Sequence, residues 1–359
     1  MTCYVHFLVY GRVTIKRDCL TYDSKNKNQI ILDGSFMDKN LALYQQQAHQ
    51  HGLQTQYFER LDAFKVFIGQ KAYYFKSSIT PYNSVASTRV SYNRILHKRL
   101  IKEAGLFNIH SKFIDLENDS EDDVTQLLAN LRYPAEIVPS ISIYKRKSVV
   151  LTQHHPSLNL KKLKQLFHAH RYIHIDQAYK TYKHFKAIVL KDKLIGLIEL
   201  KPAELVGDGN KNLQELHTKH MQEFPDVHTD HLYFFYDNVI PNHNEKLIFP
   251  GVNIHNTSAK TMNIHTDISQ ACRSQLIQAL RVTGLDFGCI DFFSKNLTAS
   301  NGKCYIKHMT LEPNILMFET PQEGTPQPIS QYIIKDLIRM NKYTYLFSKL
   351  FKKHRNLNL

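Results

Sequence analysis

Short apolar, β-rich runs alternate with amphipathic helical stretches along the whole of this chain, and that alternation restricts it to the α/β or α+β classes. Strands are expected at 5–10, 30–32, 64–68, 72–75, 135–139, 148–151, 173–175, 184–190, 194–200, 287–293 and 303–311. Helices are expected over 38–51, 84–104, 124–131, 158–168, 270–283 and 329–339, with one more carrying Leu213 and Leu216. Turn signals separate them. Gly69-Gln70 between two aromatic-rich runs reads as a hairpin, Lys191-Asp192-Lys193 joins two strands, and Gly52 and Gly105 stop helices. The acidic segment from Asp115 to Asp123 precedes an apolar face of Val124, Leu127, Leu128 and Leu131, as suits the positive end of a helix. Residues 221–246 read as irregular and polar.

Composition narrows the class. At 43% hydrophobic residues the chain has enough apolar material for a packed core. No apolar run reaches the length of a membrane helix, and the first residues lack the basic-then-apolar order of a secretory signal. Five cysteines (Cys3, Cys19, Cys272, Cys289, Cys304) form no CxxC pair, so neither a zinc ribbon nor a disulfide framework is expected, and a reducing cytoplasm is the expected home. The formal charge of +14 calls for an acidic partner: nucleic acid, anionic lipid or a small phosphorylated ligand. No aromatic–basic interleaving of an RNA-reading kind is present, so nucleic acid is not the expected partner. In the tail, Phe347, Leu350 and Phe351 punctuate Lys349, Lys352, Lys353 and Arg355. Weak contact with a membrane surface therefore stands beside the plainer reading of a solvated helix end.

Three features carry possible chemistry. Asp291 lies in the apolar run Ile290-Asp291-Phe292-Phe293, where a carboxylate must be paired, hydrogen-bonded or bound to a cation. Glu312 and Asn314 follow the next strand at i and i+2, sharing a face if the chain is extended, so the three oxygen-bearing side chains are candidate ligands for Mg²⁺ on nucleotide phosphates. The plainer reading is a strand-end salt bridge and a turn. Val206-Gly207-Asp208-Gly209 reads as a tight turn. Tyr144-Lys145-Arg146-Lys147 reads either as a solvated hairpin tip or as a phosphate clamp.

The order of these fragments resembles the ATP-grasp superfamily, and within it the ligase module of cyanophycin synthetases and of bifunctional glutathione synthetases, over about residues 40 to 340. The resemblance is carried by four stretches: Asn93 to Leu106, Pro202 to Gly209 followed by Asn212-Leu213-Gln214-Glu215-Leu216, Gly284-Leu285-Asp286-Phe287-Gly288-Cys289-Ile290-Asp291, and Glu312-Pro313-Asn314. It implies two α+β lobes that hold a nucleotide between antiparallel sheets, preceded by a small α/β region. The implied divisions are 1–83, 84–195, 196–340 and a basic tail at 341–359. It also implies ATP with Mg²⁺, or Mn²⁺ in its place, held by Asp291, Glu312 and Asn314. Cofactor contacts would come from Arg94, Lys98, Lys145, Lys147 and Asp176, and catalytic roles would fall to Lys186 and Asn253.

The implied activity is ATP-dependent carboxylate–amine ligation: a carboxylate is phosphorylated, and an amine attacks the acyl phosphate to give an amide or peptide bond. The partners would be ATP and a small carboxylate, amine or amino acid, and a homo-oligomer is compatible. The chain departs from the family pattern at Val138, where a lysine is usual, at Leu200, where an arginine is usual, and in both glycine-rich loops. The alternative is therefore an ATP-grasp-shaped protein that binds a nucleotide or a partner without turnover.

Overall fold

The computed structural model describes residues 38–141, 147–152, 158–177, 181–223, 231–234, 240–249 and 259–346. All of them belong to one compact unit that starts at Met37. The strands expected at 5–10 and 30–32, Cys3 and Cys19, the clamp residue Lys145, Asn253 and the tail from Phe347 lie outside the described residues.

Helix α1 (Lys39–Gln50) starts at Asp38, whose carboxylate accepts the N–H groups of Asn40 and Leu41 at 2.8 and 3.1 Å. It stops at Gly52, which takes a left-handed φ of +69°. Strands β1 (Gln54–Phe58), β2 (Ala63–Ile68) and β3 (Lys71–Lys76) form an antiparallel sheet, with Gly69 at φ +64° in the expected hairpin turn.

The helix expected over 84–104 is two helices, α2 (Val85–Tyr92) and α3 (Arg94–Glu103). Asn93 breaks it. Its backbone is extended, its side chain accepts from Ile95 and Leu96 N–H at 3.1 Å, and it bridges to Ile141. An Asn that caps one helix ends the one before it.

There follow β4 (Phe107–Asn108), β5 (Ser111–Asp115), α4 (Glu121–Ala129), β6 (Ala135–Pro139), β7 (Lys147–Leu151), α5 (Leu160–Leu166) and β8 (Tyr172–Gln177). Asp115 belongs to a strand, held by Arg171 at 2.9 Å; Ser120 caps α4. Next come β9 (Lys183–Leu190), β10 (Lys193–Leu200), β11 (Ala203–Val206), α6 (Leu213–Glu223), β12 (His231–Phe234), β13 (Lys246–Phe249) and β14 (Ala259–Thr261). Strand β12 corrects the irregular reading of 221–246. It pairs in parallel with β7, and such an edge strand lacks a local hairpin signal. The described chain closes with α7 (Gln270–Val282), β15 (Phe287–Ser294), β16 (Tyr305–Thr310), α8 (Leu316–Glu319) and α9 (Ile329–Met340).

Two sheets dominate. A six-stranded sheet has the order β14-β10-β9-β15-β16-β4, antiparallel except for β16 with β4. A five-stranded sheet has the order β12-β7-β6-β8-β5, antiparallel except for β12 with β7. Strands β11 and β13 form a separate ribbon.

One core joins part of the six-stranded sheet (Ile188, Ile198, Phe287) to α1, the β1–β3 sheet, α8 and α9. A second packs that sheet's opposite face (Ala187, Ile290, Phe292) against α7 and Ile101 of α3. A third packs the five-stranded sheet against α4 and α5. Gly196 sits where β10 meets α8 and α9: a Cβ there would lie 2.8 Å from side-chain carbons of Phe318 and Ile329, so the glycine admits the close approach. Among the described residues no helix is long and apolar enough to cross a membrane.

Candidate functional site

Strand alternation gathers several polar residues on one face of the five-stranded sheet, among apolar ones such as Val138 and Val150. Ala135 and Ile137 of β6 point into the α4/α5 core, so Glu136 and Val138 take the other side. In register, Glu136 lies opposite Asp176 of β8, Asp176 opposite Ser111 of β5, and Val138 opposite His174.

Asp176, only 3% exposed, accepts bonds from Arg94 Nη1 at 3.1 Å, Lys98 Nζ at 3.1 Å and the Ser111 hydroxyl at 2.6 Å. Burial opposes ionisation of Asp176, but the charges of Lys98 and Arg94, with Lys307 behind them, outweigh it and hold the carboxyl well below the usual range. The structure thus brings together Arg94, Lys98 and Asp176, three residues expected to bind cofactor. They are joined here to one another.

The six-stranded sheet supplies the second half. Asp291 of β15 lies opposite Lys186 of β9 on one side and His308 of β16 on the other. His184 Nε2 bonds to its carboxylate, and the His184 ring stacks on Phe293 at 4.6 Å. Burial raises the Asp291 carboxyl, but the His184 bond and the lysine charges of Lys307 and Lys186 more than offset it, so the group is held below its ordinary value. Lys307 Nζ reaches across to Glu136 Oε2 at 2.7 Å and ties the two sheets together, while the Ser148 hydroxyl donates to Glu136 Oε1.

The three residues expected to bind Mg²⁺ do not share one register position across β15 and β16. His308, not Glu312, faces Asp291; Glu312 comes four residues later, beyond the end of β16, or about 13 Å of extended chain. Glu312 is exposed and accepts from the Tyr92 hydroxyl at 2.7 Å. The chain is not extended at Asn314. It turns into α8, and Asn314 Oδ1 accepts Leu316 N–H at 3.2 Å. Among the described residues no group of three His, Cys, Asp or Glu side chains is placed to hold a metal ion. As arranged, each of the three has its own partner: His184 for Asp291, the Tyr92 hydroxyl for Glu312 and Leu316 N–H for Asn314.

Of the remaining expected residues, Lys186 lies beside Asp291, half-buried. Lys147 begins β7, its side chain outside the description, and Lys145 and Asn253 lie outside the described residues. Val138 and Leu200, where charged residues are usual by resemblance, are 1% and 3% exposed. Sequence reasoning missed Glu136, His184, Lys307 and His308. The signal was present: Lys307-His308 is a polar pair inside the apolar run Ile306 to Met309, and two adjacent residues on one face mark a bulge, which the register confirms between Asp291 and Phe292.

Set against solved structures, the chain resembles a bifunctional glutathione synthetase from Pasteurella multocida, with TM-score 0.51 and 16% identity over 85% of this chain and 44% of that one. The fold is ATP-grasp. Other ATP-grasp structures resemble it less: D-alanine–D-alanine ligase from Bacillus anthracis (TM-score 0.44, 10% identity, 72% of this chain and 71% of that one) and ATP-grasp ligase PsnB complexed with minimal precursor (0.41, 13%, 71% and 63%). The chain spans less than half the length of the glutathione synthetase. No protein-family model and no curated protein sequence matches it. Within the ATP-grasp fold, the polar residues described above belong to the two large sheets, and Lys307–Glu136 is an ion pair between them.

Three histidines of this region, His97, His174 and His184, are buried, and burial lowers all three, His174 to about 4. Lys98 and Arg94 push His174 the same way, while Asp176 opposes them. A histidine whose folded pKa lies below its unfolded value binds fewer protons when folded, so stability is full above about 6.5 and is lost as pH falls toward 4. Denaturant midpoints measured across that window are expected to drop, with His174 alone contributing on the order of 3 kcal/mol. A flat profile would contradict the buried, neutral imidazoles.

Proposed function

We propose that the chain binds a nucleotide, ATP or ADP, between its five- and six-stranded sheets without carrying the carboxylate–amine ligation implied by resemblance. One observation carries this reading. Polar residues of the two sheets meet in a single charge network, in which Arg94, Lys98, Lys186 and Lys307 outnumber the carboxylates Glu136, Asp176 and Asp291. A partly desolvated site with an excess of cations favours a polyanion.

The register offset of Glu312 from Asp291, and the buried apolar side chains Val138 and Leu200, support binding without turnover. Ligation remains the competing reading, favoured by the likeness in fold to a glutathione synthetase. In it, ATP phosphorylates a substrate carboxylate, and an amine displaces phosphate to leave an amide, ADP and phosphate.

Titration with a fluorescent ATP analogue, paired with a phosphate-release assay over amino acids and small peptides, separates the two. The expected result is saturable binding with no release above background. Release that depends on an added acid and amine would establish ligation, and absence of nucleotide binding would refute both.

A further inference from the structure

The disagreement between the Asp291 region and a metal site points to a specific alternative, which rests on the nucleotide reading above. We propose that Lys307 and Lys186 hold the polyphosphate in place of a divalent cation, and that the phosphate takes the position Glu136 now occupies on Lys307.

The backbone provides for this. The β15–β16 register runs from Phe292 opposite Ile306 to Asp291 opposite His308, leaving Lys307 as the extra residue of a bulge. A bulge re-aims a side chain that regular alternation would send to the opposite face. Ile306 and Met309 both enter the α7 core, so the bulge allows Lys307 and His308 to leave that core together. Lys307 Nζ then reaches Glu136 on the other sheet. On the far side of β15, Lys186 is in register with Asp291.

Asp291 therefore lies between two lysine-bearing strands and already accepts a bond from His184. A dication arriving there meets two ammonium groups and a carboxylate that already has a hydrogen-bond partner in His184. A phosphate meets the reverse: two cations, one half-buried and making no ion pair with the described residues (Lys186), the other ion-paired to Glu136 (Lys307). Glu136 keeps the Ser148 hydroxyl as a partner when Lys307 leaves it. A phosphate offers more oxygens and more charge than the carboxylate it displaces.

The exchange fixes the sign of each substitution. Calorimetric titration with ATP in excess EDTA is expected to give the same affinity as in Mg²⁺, within about twofold. Lys186→Gln and Lys307→Met are each expected to weaken binding by roughly ten- to a hundredfold. Glu136→Gln is expected to tighten it by freeing Lys307, and Asp291→Asn to leave it unchanged or tighter, since both remove negative charge beside the anion. A metal site predicts the opposite for Asp291→Asn. Lys186→Gln breaks no ion pair among the described residues, and circular dichroism checks that each variant is folded.

Inorganic tripolyphosphate is titrated alongside in EDTA. Binding of tripolyphosphate that depends on both lysines, without ATP binding, would keep this proposal and sink the nucleotide reading. ATP binding that requires Mg²⁺ and is lost in Asp291→Asn would sink this proposal and keep the nucleotide reading. If neither ligand binds in EDTA, the proposal is overturned.

Discussion

Asp176→Asn is expected to cost about 3–5 kcal/mol of folding stability, read as a lower urea midpoint at unchanged slope. The carboxylate is 3% exposed and serves two cations at once, Arg94 and Lys98, whose side chains are themselves 6% and 11% exposed. Removing its charge leaves both without their counter-ion in a place that water scarcely reaches. The loss is therefore set by two stranded cations more than by the missing bonds. Replacing the trio together, Asp176→Leu with Arg94→Met and Lys98→Met, is expected to recover much of that loss, because no buried charge is then left unmatched. If the triple variant is as unstable as Asp176→Asn, then shape and not charge governs the region.

Phe287→Ala is expected to cost a similar amount, about 3–5 kcal/mol, for a different reason. Phe287 opens β15, is fully buried, and sits in the core shared by the six-stranded sheet, α1, α8 and α9. Its backbone is fixed by Asn83, which accepts Phe287 N–H at 3.0 Å and donates to Phe287 C=O at 2.8 Å, so the strand is poorly placed to collapse into the vacated volume. Phe287→Leu keeps most of the apolar contact and is expected to lose less than half as much. Equal losses for the two variants would mean that the ring makes a contact specific to aromatic geometry, the neighbouring Tyr82 ring at 6.3 Å being the candidate.

Local signals in the sequence located most of the elements and few of the contacts. The β2–β3 and β9–β10 hairpins, α7 and α9 were all legible, because each rests on side-chain periodicity and a turn residue a few positions away. Asn93 gives no local sign of a break, since a capping Asn inside an amphipathic stretch looks like any polar position until its backbone is seen. Strands β1, β4 and β14 are short, and what defines them is the neighbour each finds: β4 lies beside β16, nearly two hundred residues on.

At the candidate site, the resemblance selected Arg94, Lys98 and Asp176, and the structure joins them. Grouping Glu312 and Asn314 with Asp291 requires an extended chain without irregularity. The bulge at Lys307 and the turn into α8 break that condition. One extra residue in a strand moves every side chain after it by a register step, and nothing in the spacing of the acids reveals it.

The packing of α9 against the N-terminal part of the described unit bears on how this protein is made. The Tyr73 hydroxyl donates to Asn341, Tyr82 to the Ile333 carbonyl and Tyr345 to the His51 carbonyl, all over buried apolar contacts that α9 shares with α1 and the β1–β3 sheet. Tyr73 and Asn341 are 268 residues apart. At about 5–20 residues per second of translation, α1 and the small sheet wait on the order of 10–50 s for the helix that packs against α1. During that interval α1, whose Tyr44 ring lies 5.1 Å from Phe75, covers the sheet without the packing that α9 adds. The yield of folded protein should then respond to the speed of synthesis and the supply of chaperones, even where equilibrium stability is ample.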